Sequence, residues 1–274
     1  MPDKCKKAIH PIVIFKEAWG ICWANIAKLG VIYLIFNLPI TLVYLTPMVS
    51  KLQNQKPTLS IFFLFFLPVL LVSICGHIAL LLGIKKAVDS EDYTIGQSIS
   101  QVKLFFLKYL GVILIITLFV MGIMILGGMS IAMILAVLLK VNKILALMIC
   151  LALAITALAF LVFFSLRWSL AATVCVLENI SPIAALKRSL SLVTDYVHPV
   201  VGTYCLTMLM YIACLVPIII VGTFLGIGND ANQSNRVGII YSMLINIALV
   251  PFWGTSTVIL YKKLKEALET HVCA

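Results

Sequence analysis

From Tyr109 to Leu139 the chain runs for 31 residues without a charged side chain. About 20 consecutive apolar residues already suffice to cross a bilayer as a helix. A helix that long and apolar on every face has no place on the surface of a water-soluble domain. The run reads as a membrane span with residues to spare, tilted, protruding, or broken at Gly127-Gly128. Composition agrees, with 63% apolar and only 11% charged residues, against about 25% charged in a soluble domain.

Comparable runs recur along the sequence. Spans are expected at about 28–48, 59–84, 109–138, 144–166, 199–225 and 237–261. Inside lipid each backbone group must find its partner within the segment, so the spans are helices. Pro39, Pro68, Pro217 and Pro251 fall inside them as kink points. Polar stretches at 50–58, 140–143 and 228–236 supply the turns on one side. Asn232-Gln233-Ser234 in the last of these fits a glycosylation acceptor, relevant only in a eukaryotic secretory pathway.

The other side carries amphipathic stretches. The longest runs from Glu178 to Val197. Ser181 is placed to cap a helix and Pro182 to occupy its first position. Ile183, Leu186, Leu190 and Val193 then recur at spacings of 3, 4 and 3, one helical face, with Lys187, Arg188 and Ser191 off it. A surface helix over 182–196 follows, its basic side toward lipid head groups. Ile12, Phe15, Trp19 and Cys22 predict another over 11–23, and Ile95, Ile99, Val102 and Phe106 one over 94–107. The expected fold is an all-α, polytopic membrane helical bundle: a single domain over 1–274, with six transmembrane helices in three hairpins. Each hairpin is preceded by a cytoplasmic amphipathic surface helix. The strings LGVIYLI at 29–35 and LGVILII at 110–116 add to this threefold order.

Lysine and arginine distribution sets the orientation. Six spans put 15 of the 20 Lys and Arg on the side of both termini and 5 on the other. Both termini are therefore expected in the cytoplasm. The net charge of +10 then reflects this bias and contact with anionic lipid. No basic, aromatic-rich domain remains for a nucleic acid. No cleavable signal peptide is expected, because no short apolar core with a small-residue cleavage site follows the basic N-terminus. Eight cysteines include no C-x-x-C pair and read as small apolar residues.

Catalytic patterns are absent: no H-E-x-x-H, Walker loop, G-x-S-x-G or Rossmann fingerprint occurs. No cofactor and no metal is expected, nor an enzyme. His77 lies within the second span, either a functional ionisable group or a neutral histidine bonded between helices. Asp89, Glu91 and Asp92 form an acidic cluster beside Lys85 and Lys86, readable as a solvated loop or a metal site. Asn37 and Asn246 are polar points within spans, read as cross-helix hydrogen bonds or as part of a solute path. Arg167, with Trp168, reads as an interfacial pair. If their helix is continuous, Arg167 and Glu178 share a face 11 positions apart. Arg167, Glu178, Lys187 and Arg188 are the candidate lipid or partner contacts. They form either a clamp between the fourth span and the surface helix or an anionic lipid site.

Arg167, VLEN at 176–179, SPIAALKRS at 181–189, and Pro251 followed by LYKKLKE at 260–266 carry a resemblance. The chain resembles the YciC-like, glycerophosphodiester phosphodiesterase membrane-domain-like family of six-span bacterial membrane proteins. That resemblance implies a multi-pass protein of the bacterial inner membrane. Apart from the resemblance, the partners expected from the apolar spans and the basic balance are the phospholipid bilayer, including anionic head groups, and another membrane protein. Some members are fused to a soluble phosphodiesterase domain, but the acidic and histidine cluster of that domain is not found here, so its activity is not expected. The reading that follows is a non-enzymatic scaffold or lipid-associated component. The alternative is a permease for a lipidic or hydrophobic solute, motivated by the kinked spans.

Overall fold

The computed structural model describes residues 9–45, 59–138, 143–224 and 231–272. Every described element is a helix. They are α1 (Pro11–Ala24), α2 (Ile26–Leu45), α3 (Leu59–Val88), α4 (Ile95–Leu138) and α5 (Lys143–Trp168), then α6 (Ala171–Glu178), α7 (Pro182–Thr194), α8 (Val197–Phe224) and α9 (Ala231–Val272). Five stretches are long and apolar enough to cross a membrane: Leu67–Val88, Ile95–Ile134, Lys143–Glu178, Val197–Pro217 and Tyr241–Thr270. A sixth is added if α1 and α2, bent by 78° at their break, count as one. The turns expected at 50–58 and 140–142, and the end of the first span at 46–48, lie outside the described residues.

Several boundaries differ from expectation. The surface helix at 94–107 is not a separate element, because α4 is one helix of 44 residues from Ile95 to Leu138. No proline and no left-handed residue interrupts it, and it passes through Gly127-Gly128 unbroken. Residues 231–236, expected in a loop, open α9. Pro39, Pro68, Pro217 and Pro251 all sit inside continuing helices.

The chain divides into two compact units, residues 108–195 and the remainder. In the larger unit α9 packs against α1, α2, α3 and α8, and α2 packs on α3. Its core holds Ile14, Leu29, Ile32, Ile78, Ile84, Ile259, Leu260 and Leu264. Small residues bring these helices together. A Cβ built on Gly76 would stand 2.7 Å from Phe36 Cβ, and one on Gly254 2.6 Å from Ile84 Cδ1. Thr203, Thr207, Thr255, Ser256 and Thr257 are buried too. Each hydroxyl donates to the carbonyl four residues earlier, so none is left without a partner.

In the smaller unit α7 packs against α5 and α6 around Leu170, Val174, Ala185 and Leu192. Phe119 of α4 meets Phe164 and Trp168 of α5 at ring-centroid distances of 5.1 and 4.7 Å. Trp168, expected as an interfacial partner of Arg167, is half-buried in that cluster.

One arrangement occurs in both units. Pro11 opens α1 and rests on Gly202 of α8, where a Cβ would lie 2.5 Å from its ring. Pro182 opens α7 and rests on Gly111 of α4, where the distance is 2.7 Å. The two helices begin alike, PIVIFK and PIAALK, and share a register. Ile14, Ala18 and Cys22 are buried in α1, and Ala185, Ser189 and Val193 in α7. Ile12 and Ile183 are 60% and 61% exposed, and Lys16 and Lys187 are exposed beside them. The apolar faces expected from spacing are thus corrected at their first residues, Ile12 and Ile183, which point outward. Cys22, Leu186 and Val193 of those faces are buried, and Phe15 and Trp19 meet Phe252 at ring-centroid distances of 5.1 and 5.8 Å.

Alanine at Gly111 or Gly202 must displace a proline ring, and overpacking of this kind costs about 1–3 kcal/mol. At Gly128, where nothing lies within 4 Å of the added atom, alanine removes a helix cost of about 1 kcal/mol. Thermal unfolding in detergent should show Gly111→Ala and Gly202→Ala below the parent and Gly128→Ala at or above it. Equal midpoints for all three would refute the contact.

Candidate functional site

The candidate residues fall in the smaller unit: Arg167 at the end of α5, Glu178 at the end of α6, and Lys187 and Arg188 in the middle of α7. α5 ends at Trp168, where Ser169 Oγ donates to the Leu166 carbonyl at 2.7 Å and the chain turns. α6 then runs for eight residues and stops at Asn179, which adopts φ 55° and ψ 34°. Asparagine is the side-chain-bearing residue that best tolerates this left-handed cap. Arg167 and Glu178 therefore lie on two helices separated by Ser169 and Leu170 within the apolar stretch Lys143–Glu178, not on one continuous helix.

The end of α6 is held by a lysine. Lys108 Nζ, on α4, donates to the Asn179 backbone carbonyl and to its Oδ1, each at 2.8 Å. A cation at a helix C-terminus meets carbonyls that the helix leaves unpaired. The chain then enters α7 through Ser181, whose backbone is extended as a cap requires but whose side chain makes no capping bond. Pro182 takes the first helical position.

On α7 the buried residues are Ala185, Leu186, Ser189, Leu192 and Val193. Buried Ser189 reaches across to α5, its Oγ donating to the Arg167 carbonyl at 2.7 Å. Arg188 Nε lies 3.7 Å from Glu178 Oε1, both side chains partly exposed. A pair of that length and exposure contributes under about 1 kcal/mol. The Arg167 guanidinium covers the Phe163 ring at 4.1 Å from its centroid. Of the four candidates, Glu178 and Arg188 are brought together, and Arg167 joins them through its main chain only. Lys187 points outward, with no ion pair among the described residues.

Three participants were not among the candidates: Lys108, Asn179 and Ser189. Lys108 and Asn179 are 71 positions apart, beyond the reach of helical periodicity. The one local signal was asparagine following Leu177-Glu178 ahead of Ser181-Pro182, the composition of a helix stop.

The remaining candidates are dispersed. His77 is on α3, with an exposed side chain. Asp89 forms an ion pair with Lys262 of α9, while Glu91 and Asp92 are exposed. Glu17 pairs with Lys263 at 2.7 Å. Asn37 bonds back to the Tyr33 carbonyl at 3.0 Å. Asn246 does bond across helices: Tyr211 Oη donates to its Oδ1 at 3.3 Å, and its Nδ2 donates to Ser242 Oγ at 3.3 Å. Among the described residues no group of three or more His, Cys, Asp or Glu is placed to hold a metal. No family model matches the chain, and neither a curated protein nor a solved structure matches it.

The residues that join these helices differ in what they carry. Asn179→Gly should leave the thermal midpoint nearly unchanged, while Asn179→Val should lower stability by about 1–2 kcal/mol for left-handed strain. Ser189→Ala removes the donor to the part-buried Arg167 carbonyl and should cost about 1 kcal/mol. Unfolding of the purified protein at fixed scan rate measures all three, and a tolerated Asn179→Val would contradict the cap.

Proposed function

We propose that this chain is a non-enzymatic, multi-pass membrane protein that associates with anionic lipid through the outward face of α7. The observation that carries the proposal is the pairing of exposed Ile183 with exposed Lys187 one turn on. An apolar side chain beside a cation suits the boundary between acyl chains and head groups. The clamp behind it, through Ser189 and Arg188, fixes the face that α7 presents. Arg188 itself is taken up by Glu178, so Lys187 is the cation left for a phosphate. The location in this proposal is the bacterial inner membrane with both termini cytoplasmic. It rests on the lysine and arginine asymmetry and on the resemblance of residues 167–197 to the YciC-like family. The same face accommodates a membrane-protein partner with an acidic surface.

Native mass spectrometry of the full chain with added phosphatidylglycerol tests this. One cation near anionic lipid contributes about 1 kcal/mol, so Lys187→Glu, a change of two charges, should reduce retained phosphatidylglycerol on the order of tenfold. Retention equal to the parent would exclude Lys187 as the contact. Arg188→Glu is the poorer probe, because it also breaks the pair with Glu178.

A second reading is a permease for a lipidic or hydrophobic solute. The chain of hydroxyl and amide groups Tyr211–Asn246–Ser242 within α8 and α9 favours it, since polar groups inside spans mark solute paths. Flux of such a solute into proteoliposomes should fall with Asn246→Leu. Flux no different from protein-free vesicles would remove this reading.

A further inference from the structure

The larger unit contains a cavity of about 230 Å³ whose lining is entirely apolar. Trp19 and Trp23 of α1 form one wall, and Met210 and Cys214 of α8 with Ala248 and Phe252 of α9 form the other. The two indoles are stacked, 5.7 Å between centroids and 7° from parallel. They are nonetheless 46% and 62% exposed, and among the described residues neither indole N–H donates to a protein group. Lys16 is exposed one turn before Trp19 on the same side. Its neighbour Glu17 does not neutralise it, because Glu17 is engaged by Lys263 at 2.7 Å.

Two indole donors thus wall an apolar slot, and a cation stands one turn away on the same helix. Water would gain no hydrogen bond inside that slot, and an apolar chain would lose none. We infer that the groove between α1, α8 and α9 holds one acyl chain of an anionic phospholipid, with the lipid phosphate against Lys16. The indoles lie where acyl chain meets head group, the level at which tryptophan is enriched in membrane proteins. The phosphate offers acceptors to Lys16 and to the outer indole N–H. The slot is smaller than a drug-sized site of roughly 300–1,000 Å³. This site rests on the membrane reading of the chain, but not on Lys187.

Tryptophan quenching tests it directly. The full chain with Trp168→Phe and Trp253→Phe retains indoles only at Trp19 and Trp23. It is reconstituted in phosphatidylcholine vesicles containing a small fraction of phosphatidylglycerol brominated on its acyl chains. Quenching should exceed that expected from random mixing, saturate at low mole fraction, and persist in the presence of inorganic phosphate. Lys16→Gln should raise the half-saturating fraction about fivefold. Ala248→Leu, which fills the slot from α9, should return quenching to the random level, while Lys187→Glu should leave it unchanged. Quenching at the random level in the parent overturns the proposal, as does insensitivity to both Lys16→Gln and Ala248→Leu. Equal quenching by brominated phosphatidylcholine overturns the anionic assignment. Because Lys16 is exposed, its variant remains informative even if Ala248→Leu misfolds.

Discussion

Helices that are apolar on every side gain little from the hydrophobic effect by choosing one neighbour over another when lipid is the alternative. Shape has to choose instead. In this chain the choice is made where a glycine lets another element come closer than any side chain would allow: Gly76 under Phe36, Gly254 under Ile84, Gly202 under Pro11 and Gly111 under Pro182. Close approach multiplies dispersion contacts that are each small, and it fixes both the rotation and the height of a helix. The buried threonines and serines of α8 and α9 serve the same end. Their hydroxyls bond to their own helix, so they occupy little volume and demand no partner from a neighbour.

The helical architecture was legible because it follows from long charge-free runs, and starts at Pro11, near Leu59 and at Pro182 were marked by residues with fixed backbone preferences. Which face each helix buries was not legible. In α1 the stripe Ile12, Phe15, Trp19, Cys22 and the stripe Ile14, Ala18, Cys22 obey helical spacing equally well. Hydrophobicity prefers the first, whereas the most deeply buried line is the second, which carries the small residue, and the first packs only from Phe15 onward. The same substitution of Ala185 and Ser189 for Ile183 and Leu190 occurs in α7. Aligning PIVIFKEAW with PIAALKRSL would have exposed the common register, with small residues at Ala18 and Ser189.

The candidate site shows a similar division. Glu178 and Arg188 were legible as candidate contacts because both sit in the one polar stretch of their region, but their pairing with each other was not. The break at Ser169 was hidden, because the residues on both sides of it are apolar and helix-forming. Lys108 was invisible as a partner, since a contact across 71 positions leaves no periodic trace. Arg167 took part through its carbonyl, a group every residue carries, so its side chain gave no clue to that role.

The two ends of α1 are fixed in different ways. At Asn25 it turns by 78° into α2, and at Pro11 its ring is seated on Gly202 of α8. A helix of 14 residues is about 21 Å long and nearly incompressible along its axis. It therefore acts as a strut of set length between α2 and α8, and the opening beneath it is gauged by a count of peptide units, independent of how well any side chain fills it. Lengthening or shortening α1 by one turn would change that gauge by about 5 Å while leaving the composition of its walls intact.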